Sequence, residues 1–222
     1  MGREFGLRVA AAMLAAASVS FAQEAKPAVE VSLERRAKEG WQAVDNTTVL
    51  DAGDEIRFRF RTYFAGYLYV LDRTSSGEST WLYPRPGTSQ SSRVEPGPEY
   101  LVPDTRGSFV VGGTPGFDVT YWVVSQTPID AREPSLPPAG SQPSTLLPRC
   151  REQVLKARGL CVDERAGPRP LANPASAPAE LRGGARLAAR DLTFRSEGGP
   201  TRITAPDSRP GTMVYEFRIA HR

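Results

Sequence analysis

Ile56-Arg57-Phe58-Arg59-Phe60-Arg61 alternates apolar and cationic residues without a break, and the reading of the whole chain starts from it. A period of two places Ile56, Phe58 and Phe60 on one face of a strand and the three arginines on the other. Asp51-Ala52-Gly53-Asp54 leads in as a turn, where aspartate is favoured by hydrogen bonds to its own nearby backbone. Upstream, Val29, Val31 and Leu33 alternate with Glu30, Ser32 and Glu34, and residues 41–44 make a second short strand. Downstream, Tyr67-Leu68-Tyr69-Val70-Leu71 is apolar on both faces, as a central strand is. Ser76-Gly77 marks a hairpin before Thr80-Trp81-Leu82-Tyr83. A polar loop over residues 84–98 precedes strands at 99–102, 108–111 and 119–124. Short strands separated by Gly, Pro and Asp turns predict a mostly β fold, an antiparallel sandwich or partly open barrel over residues 29–126.

Beyond residue 126 the pattern changes. Residues 127–186 form a Pro-rich connection, with prolines at 128, 134, 137, 138, 143 and 148, and a short helix predicted over 151–158 that stops at Gly159. Residues 187–222 regain strand character. Met213, Tyr215, Phe217 and Ile219 share one face of a terminal strand, which is expected to return to the sheet built before residue 126. Glu216 falls on the opposite face, and its removal is expected to be close to neutral.

The chain has 222 residues and a formal net charge of +3, with 20 Gly and 20 Pro, a composition that speaks against a compact helical bundle. Of the 28 basic residues only Lys26, Lys38 and Lys156 are lysines. So small a net charge does not imply nucleic acid without a clustered basic face, and no nucleic-acid partner is expected. Arg3 and Arg8 precede an apolar run over 9–19 that ends in Ser20-Phe21-Ala22, the form of a secretory signal over residues 1–22. The mature chain is then expected to begin at Gln23 and to be exported, periplasmic or secreted. No later stretch reaches the roughly 20 apolar residues a membrane helix needs.

One ordered series of motifs resembles a known family. Gly66-Tyr67-Leu68-Tyr69-Val70-Leu71-Asp72, Leu82-Tyr83-Pro84, Tyr100-Leu101-Val102-Pro103, Pro115-Gly116-Phe117-Asp118 and Trp122-Val123-Val124-Ser125 together resemble the domain-of-unknown-function family 4384. The resemblance covers about residues 51–128. It implies a small β-rich domain of bacterial exported and envelope proteins, and it brings no activity and no site residues.

Candidate sites follow from residue chemistry. Cys150 and Cys161 are an even pair in a chain expected to be exported, so a disulfide is the first reading, free thiols the second. As one straight helix, 150–161 would hold the two Cα atoms ~16 Å apart, whereas a bridge needs under ~7 Å. The helix must therefore be short and Gly159 must turn the chain back. Two cysteines without neighbouring histidines fall short of a zinc site, and neither a metal nor a cofactor is expected. His221 is the sole histidine, and a solvated position near the end of the chain is its plain reading. Neither G-x-S-x-G nor H-E-x-x-H occurs, so no catalytic residue is assigned. Asp51, Asp54 and Glu55 read as a turn rather than as calcium ligands. Arg57, Arg59 and Arg61 make a positive stripe, either a surface for an anionic ligand or a sheet face paired with Glu30 and Glu34. Trp81 and Tyr83, in the densest aromatic set, are either a sugar-stacking platform or core. The expected function is a non-enzymatic exported structural or protein-interaction module of a bacterial envelope. The alternative is a glycan- or anionic-surface-binding β-domain, and a hydrolase-like enzyme comes third. The partner is then an envelope protein or a glycan, and the oligomeric state is not legible.

Overall fold

The computed structural model describes residues 28–103, 107–130, 146–171, 178–181, 192–196, 199–205 and 212–222. The expected leader over 1–22, and parts of the Pro-rich stretches, lie outside these residues. The first strands in chain order are β1 (Val29–Ala37), β2 (Gly40–Val44), β3 (Val49–Leu50), β4 (Glu55–Thr62) and β5 (Gly66–Arg73). Next come β6 (Ser79–Tyr83), β7 (Arg93–Val94), β8 (Glu99–Val102), β9 (Phe109–Val110) and β10 (Gly116–Ser125). Helix α1 (Glu152–Arg158) precedes β11 (Gly167–Pro170), β12 (Thr193–Ser196), β13 (Thr201–Thr204) and β14 (Met213–His221).

Two sheets result, and neither closes into a barrel. Sheet 1 runs β12-β13-β1-β4-β8, with β2 beside β1 and β9 beside β4. Sheet 2 runs β11-β14-β10-β5-β6, with β3 beside β14 and β7 beside β5. The alternation in β4 works as the sequence predicts: Ile56, Phe58 and Phe60 turn inward and join Val31 and Leu33 of β1 in the inter-sheet core. From sheet 2 that core receives Leu68, Val70, Trp122 and Val124, together with Tyr215 and Phe217 of β14. The aromatic rings pack edge to face and in stacks. Phe58 lies 5.2 Å from Trp122 and 5.0 Å from Phe217, and Trp122 stacks on Tyr215 at 5.9 Å. The buried indole donates to Thr120 Oγ1 at 2.9 Å, and that hydroxyl donates to the Phe217 carbonyl at 3.2 Å. Gly66 begins β5 where a Cβ would meet the Ser125 carbonyl oxygen at 2.4 Å, so no larger residue fits there.

The terminal strand returns as expected, and to the middle of a sheet: β14 pairs with β10 along its whole length, from Gly116↔His221 to Val124↔Met213. Its other edge carries β11 and, in parallel, β3. The second apolar face of β5 and β10 is also accounted for. Tyr69, Leu71, Tyr121 and Val123 are covered by Ile129, Leu171 and Leu181 from the Pro-rich connection.

That cover overturns one expectation. Glu216 of β14 is 6% exposed and bridged to Arg218 at 2.7 Å, because the outer face of sheet 2 is not bare. Its replacement by alanine takes the acid from the half-buried Arg218 and is expected to cost stability rather than to be neutral. Two stretches read as loop also contain strands. Gly167–Pro170 forms β11, with prolines tolerated because the strand is an edge. Arg93–Val94 of the 84–98 loop pairs with the start of β5.

Candidate functional site

The residues singled out from the sequence fall in several separate places. Cys150 and Cys161 are joined, with Cα atoms 4.7 Å apart. Helix α1 ends at Arg158, and Gly159 takes a φ of 67° that doubles the chain back. The bridge lies against Val49, Phe117, Ala166 and Ala220 on the outside of sheet 2. Asp163 fastens the return path. It accepts from the backbone N–H of Arg149 at 2.7 Å and from Arg165 Nη2 at 2.6 Å. The Arg165 side chain, working against partial burial, holds this carboxyl at about 2. The helix itself buries nothing, and Leu155 and Leu160 are exposed.

Arg57, Arg59 and Arg61 do share the outer face of sheet 1, where acids from both neighbouring strands meet them. Glu34 of β1 takes Arg57 at 2.6 Å and Arg59 at 2.7 Å. Glu99 of β8 takes Arg61 at 2.7 Å and also bonds Arg59. Arg57 stacks over the Trp41 ring at 4.3 Å. Burial works to raise the Glu34 carboxyl, but the hydrogen bonds from Arg59 and Arg57 outweigh it and hold Glu34 below the usual carboxylate range.

Trp81 and Tyr83 lie away from that stripe, in sheet 2, and on opposite faces of it. An irregularity in the β5–β6 register sends Tyr83 into the inter-sheet core and Trp81 into the outer cluster with Tyr69 and Leu71. Both are buried, at 4% and 6% exposure. The turn at Asp51 and Asp54 is a turn: Asp54 accepts from the Asp51 N–H at 3.0 Å, and Asp51 pairs with Arg222 at 2.7 Å.

A further place was not read from the sequence as a site. At one end of the sandwich a cleft of about 400 Å³ opens between the sheets. Ile56, Phe58, Phe109 and Val111 wall it from one side, and Asp72, Thr120, Asp118 and Ile219 from the other. Asp72 lies opposite Thr120 in the β5–β10 register, so Asp118 is its diagonal neighbour. Asp118 Oδ1 accepts from the Ser75 N–H at 2.6 Å and lies 3.3 Å from Nε2 of His221. His221 is therefore 1% exposed rather than a solvated tail, because β14 carries it inside. The Ser75 hydroxyl donates to the Thr114 carbonyl at 2.7 Å, not to the imidazole, so this is not a serine–histidine relay.

Asp72 carries the strongest perturbation in the site. Burial first, and the Asp118 charge second, push its carboxyl up to about 8 from 3.8. The folded chain then binds a proton there that the unfolded chain has lost, so stability falls as pH rises from about 4 to about 8. Among the described residues, the titratable groups facing Asp72 are Asp118 of β10 and, beyond it, His221 of β14; the sheet 1 wall is apolar apart from Ser108. Glu34 and Asp163 contribute with the opposite sign and only at lower pH. Asp72→Asn should therefore raise stability at pH 8.5 by ~1–3 kcal/mol, the cost of an ill-matched buried polar group. At pH 4 the gain should be much smaller. Urea melts of both proteins at the two pH values check this, and an equal effect at both would refute it.

The described residues define a two-sheet antiparallel β-sandwich with a disulfide-closed helical lobe and an acidic inter-sheet cleft. Within it, residues 49–128 match the family model described as "Domain of unknown function (DUF4384)". The matched stretch runs from β3 through β10, so both sheets are completed by strands outside it. No curated protein and no solved structure matches the chain.

Proposed function

We propose that the protein is a non-enzymatic, exported protein-interaction module of a bacterial cell envelope. Helix α1 carries this reading. It is seven residues long, buries none of them, and is nonetheless closed off by a disulfide and pinned by Asp163. A helix this short is not stable by itself. With no face buried against the sandwich, its maintenance serves presentation, and Leu155, Leu160 and the nearby Leu147 supply exposed apolar contacts. Export is supported by the leader-like sequence and by a disulfide that an oxidising compartment would preserve. The glycan or anionic-surface reading draws less support. The arginine stripe already holds Glu34 and Glu99, and Trp81 and Tyr83 offer little ring face.

A photoreactive amino acid placed at Leu155 or Leu160 in the producing cell tests the proposal. Discrete adducts to one envelope protein are expected, absent when the probe sits at exposed Lys38 and lost in Cys150→Ser/Cys161→Ser. Labelling that is no different at Lys38 would remove the interaction reading. Recovery of a protein that retains residues 1–22 from the envelope fraction would remove the export reading.

A further inference from the structure

Asp72 is out of character with its surroundings. The inner face of sheet 2 is otherwise built from side chains such as Leu68, Val70, Trp122 and Val124. An acid in such a layer needs donors or a counter-charge. Asp118 has the Ser75 N–H and His221 beside it. Asp72 has the Arg73 N–H, while its Oδ1 is sealed from solvent and has no partner among the described residues. Among the described residues no lysine or arginine lines the cleft.

We propose that this cleft binds a primary alkylammonium group, with the –NH3+ between the carboxyls of Asp72 and Asp118 and the methylene chain along Ile56, Phe58, Phe109 and Ile219. Diagonal neighbours on adjacent strands lie about 7–8 Å apart, with their Cβ atoms somewhat closer, which leaves room for one small cation between the two carboxyls. An ammonium brings three donors and no acceptor, so it answers the unpartnered Oδ1 without adding an unmatched group. Its aliphatic stem suits walls that are largely apolar. A hard divalent ion suits them poorly, since calcium takes about 6–8 oxygen ligands. The volume, about 400 Å³, is within the range of small-ligand clefts. Burial keeps the free Asp72 largely protonated at pH 7, and an arriving cation favours its ionised form, so binding expels a proton. The amine could come from a free diamine or from a lysyl side chain of another protein; the chemistry is shared.

Calorimetric titration of the mature chain at pH 7, in two buffers of different ionisation enthalpy, tests the site. The probes are 1,5-diaminopentane, Nα-acetyl-lysine N-methylamide and, as the uncharged control, 1-pentanol. Saturable binding of at least one amine is expected, with about one proton released per amine bound and pentanol at least about tenfold weaker. Asp72→Asn, shown by its melt to be folded, should weaken amine binding about tenfold or more and abolish the proton release. The tighter amine identifies the source. Absence of saturable binding by both amines, equal affinity for pentanol, or unchanged binding in Asp72→Asn would each overturn the proposal. The cleft is separate from helix α1, so this titration and the crosslinking experiment succeed or fail independently.

Discussion

A chain lacking residues 213–222 should not fold. In sheet 2, β14 occupies an interior position, with β10 along one edge and β11 and β3 on the other. Its removal strips Met213, Tyr215, Phe217 and Ile219 from the inter-sheet core. Full burial of each such side chain contributes ~1.5–3 kcal/mol. Their combined loss is of the order of a whole domain's net stability, about 5–15 kcal/mol. The deletion also leaves the buried β10 edge unpaired, and Trp122 and Phe58 lose the rings they pack against. Phe217→Asp should have nearly the same effect, because it sets a charge beside Phe58 in a fully buried position. Circular dichroism and thermal melts of chains spanning residues 23–212 and 23–222 check this. Matching melting temperatures would mean that β14 is dispensable and that the two sheets hold without it.

The second large effect belongs to Glu34. This carboxylate is 5% exposed and faces Arg57, itself 9% exposed, across the β1–β4 pair. Glu34→Ala leaves that guanidinium buried beneath Trp41 with its acid gone, and should cost about 3–5 kcal/mol. Glu99→Ala is the comparison. It removes an acid from the same ladder, but Glu99 is 41% exposed, and the expected cost is about 0–1 kcal/mol. Chemical denaturation of the two variants separates the cases, and similar losses for both would refute the assignment of Glu34 as the buried keystone. The same residue sets an acid response. Because its folded carboxyl lies below the usual range, its contribution is complete above that range and is lost as pH falls through the folded value.

Much of this architecture is legible in the sequence where the pattern is long. Ile56 to Arg61 gives strand, face and one pairing acid, Glu34, whereas Glu30 pairs with Arg202 and Glu99 is the second acid of the stripe; Met213 to Ile219 announces a strand that must find a sheet. Gly159 between two cysteines gives the turned-back helix. The pieces that escape notice are those whose existence depends on a partner. Val49–Leu50, Arg93–Val94 and Gly167–Pro170 are too short to show a period, and are strands only because β14 and β5 offer them edges. The acidic cleft escapes for a different reason. Asp72, Asp118 and His221 sit where apolar runs stop, so each reads as the start of a loop or a tail. Counting on by two from Leu68 and Val70, or back from Trp122 and Thr120, keeps the inward parity and would have carried the first two onto the inner face. Only the pairing of β14 with β10 reveals that His221 joins them.

The order of the strands along the chain also governs when the molecule can form. Sheet 2 is assembled around β14, yet β14 is synthesised after every other strand it touches, and β10 must wait for a neighbour about ninety residues later. A nascent chain that has delivered all of β1 to β10 therefore still lacks the middle of one layer. The contacts that complete sheet 2 are distant in sequence, so that layer cannot close before β14 has been made.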